Sequence, residues 1–194
     1  TRAIVKSIFA SETPVAVFVA PGGARAASAG TFITLSAHIA AMAPGTNIGA
    51  ASPVGGGGNQ IKGDMRKKAM NDVAGVARSV ASRTGRNAEW AESAVREAIS
   101  VDEAEALKLK VIDLVAVDTK ALLLALDGRK VKLASGQERI LHTRGAQTEV
   151  LNRTWRDQVL SLLSNPNIAY ILMMLGMYGL FFEFSNPGSI LPGV

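Results

Sequence analysis

Apolar positions in this chain follow two rhythms, and the places where the rhythm changes mark its elements. Over residues 2 to 9, RAIVKSIF, they recur at helical spacing, and Thr13-Pro14 ends that helix. Residues 15 to 20, VAVFVA, are a continuous apolar run, the pattern of a parallel strand buried on both faces. The loop around PGGAR follows. Residues 28 to 40 then read as a helix with Phe32, Ile33, Leu35 and Ile39 as its apolar positions. Ala41-Met42-Ala43 predicts a short strand before Pro44-Gly45, and Asn47 to Ala50 another extended piece. Four consecutive glycines at 55 to 58 predict a mobile loop over 54 to 63.

The next stretch is helical. Residues 64 to 83 carry a stripe of Ala69, Val73, Val76, Ala77 and Val80, and Gly85 stops them. A further helix covers 88 to 98. Ser100 followed by Glu103 has capping-box spacing and opens a helix to about Lys108. Val111 to Val117 is another strand. Helices and strands alternating in this way argue an α/β fold with a mostly parallel sheet.

The pattern changes after residue 118. A short helix over 120 to 126, the turn Asp127-Gly128 and strand-like pieces near 130–133 and 138–142 predict a small β-hairpin subdomain. Residues 150 to 163 read as an amphipathic helix, broken by Asn165-Pro166. Ile168 to Phe182, IAYILMMLGMYGLFF, is then fifteen residues without a charge. That lies between the about 10–14 residues of a buried core helix and the roughly 20 of a full span. With Tyr170, Tyr178 and Phe184 flanking it, a membrane-embedded or interfacial segment is expected, and the alternative is a core helix of a missing domain.

Composition agrees. The chain has 194 residues, 48% apolar and 19% charged, with a mean hydropathy of +0.21. The net charge is +5, but only Arg66-Lys67-Lys68 and Arg129-Lys130 cluster, and 5% of residues are aromatic, so no nucleic-acid surface is expected. The absence of cysteine excludes disulfides and thiolate catalysis, and two histidines are too few for a His-rich metal site. The chain opens in mid-helix and ends soon after an apolar segment, and reads as a fragment of a longer protein.

Candidate chemistry centres on PGGARAASAG, residues 21 to 30. A P-loop needs lysine and Ser or Thr directly after its second glycine, and a dinucleotide fingerprint needs G-x-G-x-x-G; neither fits. Ala26-Ala27-Ser28-Ala29-Gly30 does fit a nucleophile elbow, with small residues two before and two after the serine. Ser28 would sit at a helix start, where the dipole and the Ala29 N–H face a developing oxyanion. The plainer role for Ser28 is an N-cap.

A serine nucleophile needs a base. His38 lies ten residues along the same helix, turned about 280° away, and reads as structural. His142 falls in the hairpin. A lysine base must be held neutral by burial or by positive potential. Lys62, Lys67 and Lys68 lie at the start of the long helix, and periodicity does not choose between Lys67 and Lys68.

Several separated segments resemble one family: PGGARAASAGTFITLSAHIAAMAPGTNIGAASPV, KKAMNDVAGVARSVASRTGRNAEWAESAVREAIS, EAEALKLKVIDLVA and NPNIAYILMMLGMYGLFFEFSNPGSILPG. They are similar to the NfeD family, membrane-bound serine proteases of ClpP class also called stomatin operon partners. The resemblance implies a ClpP/crotonase-like α/β domain with a Ser–Lys dyad and no cofactor. The serine is Ser28 and the lysine, counted back from Gly85-Arg86-Asn87-Ala88, is Lys68, with Lys67 the fallback. It implies one oxyanion donor at Ala29 and another from a glycine loop preceding residue 1. Lys110 departs from the pattern, since such sequences commonly carry glycine there.

The resemblance further implies membrane attachment, with the protease domain extracytoplasmic and lipid as surroundings. It implies apolar peptide substrates, a stomatin-like (SPFH) partner and a homodimer or higher oligomer. The expected organisation is a protease domain over 1–118, a hairpin subdomain over 119–150, an amphipathic linker helix over 151–165 and the start of a membrane region over 166–194. Two other functions compete: a non-catalytic scaffold that binds the stomatin-like partner, and a crotonase-like acyl-CoA enzyme on the same fold.

Overall fold

The computed structural model describes residues 1–53, 63–151 and 154–185. The predicted glycine loop falls outside them. The described residues group into two compact units, 1–146 and 147–194.

The first unit begins with α1 (Arg2–Phe9) and β1 (Ala16–Val19). Next come β2 (Arg25–Ala27), α2 (Ala29–Ser36), β3 (Ile39–Met42) and β4 (Asn47–Gly49). After these come α3 (Gly63–Arg83), α4 (Ala88–Arg96), β5 (Ser100–Asp102), α5 (Glu103–Lys108) and β6 (Leu114–Val115). The unit closes with α6 (Thr119–Leu126) and the antiparallel hairpin of β7 (Lys130–Lys132) and β8 (Glu138–Ile140). Two three-stranded sheets organise it. One, ordered β1-β3-β6, is wholly parallel; the other, β2-β4-β5, pairs β2 with β4 in parallel and β4 with β5 antiparallel. This is the expected α/β architecture.

The two-face burial expected of residues 15–20 is not found at β1, which ends the strand order and buries only Val19; it is realised instead at β3, the middle strand of that sheet. Ala40 and Met42 join the larger core with Leu35, Ile48, Val80, Trp90, Val95 and Val111. Ile39 and Ala41 face the other way, into a second cluster with Leu114, Leu122, Leu126 and Val131. Thus α6 and the hairpin cover a face of β3 that would otherwise meet water, and burying it stabilises both elements.

Several expected boundaries are corrected. The helix expected over 28–40 ends at Ser36, because β3 begins at Ile39 and its apolar residues belong to the sheet. The strand expected at 41–43 is this β3. Arg25–Ala27 form a strand that composition did not signal; three residues are too few for a rhythm. Ser100 is not a cap. It pairs with Gly49 in β5, and the cap of α5 is Asp102, whose carboxylate accepts from the Glu105 N–H at 2.8 Å. The 111–117 run shrinks to Leu114–Val115, with Val111 and Ile112 buried in a turn. On α3 the buried stripe is Ala74, Ala77, Val80 and Ala81, displaced from the expected one.

Lys110 sits at φ +58°, directly after the helix end. The Val111 N–H reaches back to the Ala106 carbonyl at 2.8 Å, a helix ending that favours glycine at residue 110. A glycine at residue 110, expected from the resemblance, would therefore have a physical reason.

The second unit holds α7 (Trp155–Leu163), five residues shorter at its start than the 150–163 expected, and α8 (Pro166–Ser185). Thr154 and Asp157 form a capping box on α7. Pro166 opens α8 at the first helical position, where its missing N–H costs nothing. Apolar residues surround α8 on every side, and Tyr170, Leu175, Met177, Phe181 and Phe184 are all exposed. Among the described residues no single helix is long and apolar enough to cross a membrane. The pair α7 and α8, bent by 71°, passes that test together.

Candidate active site

Ser28 stands between β2 and α2, where the chain turns from strand to helix. Its backbone is at φ +50° and ψ −113°, a conformation costing on the order of 1–3 kcal/mol for a residue other than glycine. Such strain at a strand-to-helix turn is the mark of a nucleophile elbow. Ser28 is the N-cap by position, yet its side chain makes no cap hydrogen bond. The plain capping role is therefore not the one it performs, and the exposed hydroxyl is left available.

Neighbours hold the turn. The Ser28 N–H donates to the Ala50 carbonyl at 3.3 Å. Thr31, buried on the first turn of α2, places its hydroxyl 2.8 Å from the carbonyls of both Ala26 and Gly49. That hydroxyl ties the end of β2 to the end of β4 directly beneath the serine. A Cβ added at Gly49 would lie 2.2 Å from the Ile99 carbonyl oxygen, so β4 and β5 approach there only because Gly49 has none. A Cβ at Gly30 would sit 3.5 Å from that of Ala26, which leaves room for a methyl and little more.

The other end of α2 is clamped. Arg86 is buried, and its guanidinium donates to the carbonyls of Leu35 at 3.0 Å and Ala37 at 2.8 Å and to Asp113. Asp113 also accepts from the Ala40 N–H at 2.6 Å. One cation thus satisfies the end of α2 and fixes the entry to β3. His38 serves the same region, as expected of a structural histidine. Its Nδ1 accepts from the Val15 N–H at 3.2 Å, and burial, aided by the nearby Arg86 charge, holds its pKa below the usual histidine value.

Ser28 and Ala29 open onto a cleft of about 610 Å³. Its walls are apolar: Val5 and Phe9 of α1, Phe32 of α2, and Val73 and Val76 of α3. Among the described residues, the ionisable side chains lining it are all cationic, Arg2, Lys6 and Arg83. Ala29 provides the first N–H of α2, which has no acceptor within the helix. That donor is the one a developing oxyanion beside Ser28 would meet.

The lysines are less simply placed. Lys67 and Lys68 are both exposed in the first turns of α3, and neither lines the Ser28 cleft. Lys67 instead borders a separate hollow with Asp64, Asn71 and Arg96. Measured round the helix from the side carrying Val73 and Val76, Lys68 lies roughly 110° away and Lys67 roughly 150°. The lysine that lines the Ser28 cleft among the described residues is Lys6. Lys62 falls outside the described residues. His142 stands in the loop after β8. No cluster of metal-ligating side chains occurs among the described residues.

Sequence reasoning missed Thr31 and Arg83 as parts of the site, and used Arg86 only as a landmark. A signal existed for Thr31, which stands three residues after Ser28 where a helix's free first turn meets a strand end. For Arg83 and Arg86 there was none, since their partners are 49 or more residues away or on another element.

Residues 1–141 match the family described as NfeD1b, N-terminal domain, and residues 167–194 match the NfeD integral membrane domain. The membrane-bound protease PH1510 of Pyrococcus horikoshii is 38% identical over 193 residues, covering 97% of this chain and 43% of the relative. The chain therefore spans less than half of that relative's length. Among solved structures, a lysine-to-alanine mutant of the 1510-N membrane-bound stomatin-specific protease, in complex with a substrate peptide, superposes with a TM-score of 0.72 at 35% identity. That match covers 83% of this chain and 76% of the other. Its serine-to-alanine mutant superposes with a TM-score of 0.67 at 38% identity, covering 79% and 75%. The ClpP-like fold is shared with these structures, the C-terminal segment is that of an integral membrane domain, and the chain belongs to the NfeD family.

Proposed function

We propose that this chain carries the catalytic unit of a membrane-anchored serine endopeptidase with a Ser–Lys dyad. The observation that carries the reading is Ser28: a serine held in a strained strand-to-helix turn, its hydroxyl unspent, on an apolar cleft. Ser28 attacks the peptide carbonyl. Lys68, in its neutral form, takes the hydroxyl proton and returns one to the leaving amine. The Ala29 N–H stabilises the oxyanion.

Lys68 is preferred over Lys67 on two grounds. It lies nearer the cleft side of α3, and it stands 40 residues after Ser28. In the solved relatives the substituted serine and lysine are 41 positions apart. Position 69 here is Ala, so a one-residue difference in the intervening segment brings Lys68 into register. The exposed position of Lys68 does not by itself supply the desolvation a lysine base needs; bound substrate would have to complete it.

The apolar cleft walls suit apolar peptide segments, and the relative specific for stomatin makes a stomatin-like protein the partner of choice. Residues 1–118 would carry the chemistry, 119–150 the hairpin, 151–165 a linker and 166–194 the start of the membrane region, with the protease domain extracytoplasmic in a homodimer or higher oligomer. The scaffold reading draws on one observation, that neither Lys67 nor Lys68 lines the cleft.

Hydrolysis of an apolar peptide in detergent separates the two readings. Wild type should cleave it, and Ser28→Ala should lose roughly 10⁴-fold or more in rate. Binding without cleavage by wild type would favour the scaffold.

A further inference from the structure

A second cleft, of about 420 Å³, lies beside the first. The two share two lining residues, Phe9 and Arg83. Arg83 lies with its guanidinium 4.3 Å from the centre of the Phe9 ring, so that ring and cation together form the sill between the clefts. The character of the lining changes across this sill. On the Ser28 side the walls are apolar. Beyond it stand Lys130 and Lys132 of β7, with His38, Ser36 and Thr84 between.

Among the described residues no carboxylate lines either cleft, and the side chains of Lys130 and Lys132 make no ion pair or hydrogen bond. Glu138 stands opposite Lys132 in the hairpin register but makes no ion pair with it. The alternation of β7 sends Val131 into the core and leaves the two lysines on one face. The hairpin thus does more than cover β3. It brings two lysines without an ion pair to a groove that shares Phe9 and Arg83 with the cleft of Ser28.

We propose that the two clefts form one track, and that the peptide taken at Ser28 is an apolar segment flanked on one side by acidic residues. The apolar part fills the walls of Val5, Phe32, Val73 and Val76, and the carboxylates meet Arg83, Lys130 and Lys132. This rests on the peptidase reading and adds to it a polarity for the substrate. Because the cations are exposed, each contact is weak and salt-dependent, and selection comes from several acting together.

Fluorescence anisotropy on the full chain in detergent, in a Ser28→Ala background so that nothing is cleaved, tests this. Three labelled peptides share one apolar core and carry Asp-Asp-Glu before it, Asp-Asp-Glu after it, or Asn-Asn-Gln. One of the acidic peptides should bind about tenfold tighter than the neutral one at low salt, the sum expected of two or three exposed ion pairs. Lys130→Glu with Lys132→Glu should abolish that preference, read as the ratio of acidic- to neutral-peptide affinity within each variant, and the paired Gln variants should reduce it. Lys120→Glu, the same charge change outside both clefts, should leave it intact. Equal binding of all three peptides, or a preference that survives the Lys130 and Lys132 reversal, would overturn the charge track alone. So would a preference lost equally in Lys120→Glu. Failure of every peptide to bind would overturn the peptidase reading and this inference with it.

Discussion

Ser28 and Lys68 both stand near the start of a helix, yet the two starts are built differently. Below Ser28 the chain is buried within one turn: Thr31, Phe32, Thr34 and Leu35 are all inside. Two strands, a threonine latch and an arginine clamp hold it. The first turns of α3, from Gly63 through Lys68, are exposed throughout, and burial begins only further along, with Ala74. The proposed nucleophile is positioned by the folded core itself. Its proposed base is positioned by a helix end that the core does not grip. A dyad built this way needs only one partner preorganised by packing; the other can be completed when substrate fills the cleft.

The contrast can be broken first at the lysines. Lys68→Ala should lower peptide turnover by roughly 10²–10⁴-fold, the range for a missing general base, while Lys67→Ala and Lys6→Ala stay within a few-fold of wild type. Steady-state rates of the three variants decide this, and loss confined to Lys6→Ala would move the base to α1. On the Ser28 side, Arg86→Leu leaves Asp113 and two backbone carbonyls without their cation and should cost about 3 kcal/mol or more in a chemical melt. The same measurement on Lys68→Ala should show almost no change, since that residue is exposed.

Thr31→Val sharpens the contrast further. It keeps the volume, removes the hydroxyl that bridges Ala26 and Gly49, and should cost about 1–2 kcal/mol. Because the lost bonds lie directly beneath Ser28, kcat should fall more than stability alone explains if Ser28 is the nucleophile. The smallest effect is the most local. Lys110→Gly relieves a left-handed backbone at a helix end and should raise stability by about 0.5–1 kcal/mol without altering turnover.

Much of this was legible in the sequence. VAVFVA and the alternation of helices and strands pointed to a parallel sheet, and AASAG to an elbow, because both depend on neighbours a few residues apart. The helix expected to run to residue 40 failed at Ile39, where sheet packing claimed apolar residues that also fit a helical rhythm. Ser100 failed as a cap because Gly49, 51 residues away, draws it into a strand. The clamp at Arg86 and the sill at Arg83 were invisible for the same reason, since their meaning lies in partners that only the fold supplies. Periodicity did not choose between Lys67 and Lys68, because both stand on an exposed helix start where no packing constrains the choice. At residue 110 a left-handed backbone angle shows why a glycine would suit the turn.

The central claim is that Ser28 is a nucleophile rather than a cap. Labelling the detergent-solubilised chain with a fluorophosphonate, followed by peptide mass mapping, tests it most directly. The account predicts one adduct, on Ser28, absent in Ser28→Ala and strongly reduced in Lys68→Ala. An adduct on another residue, labelling that persists in Ser28→Ala, or no labelling of wild type where a serine peptidase control reacts, would contradict it.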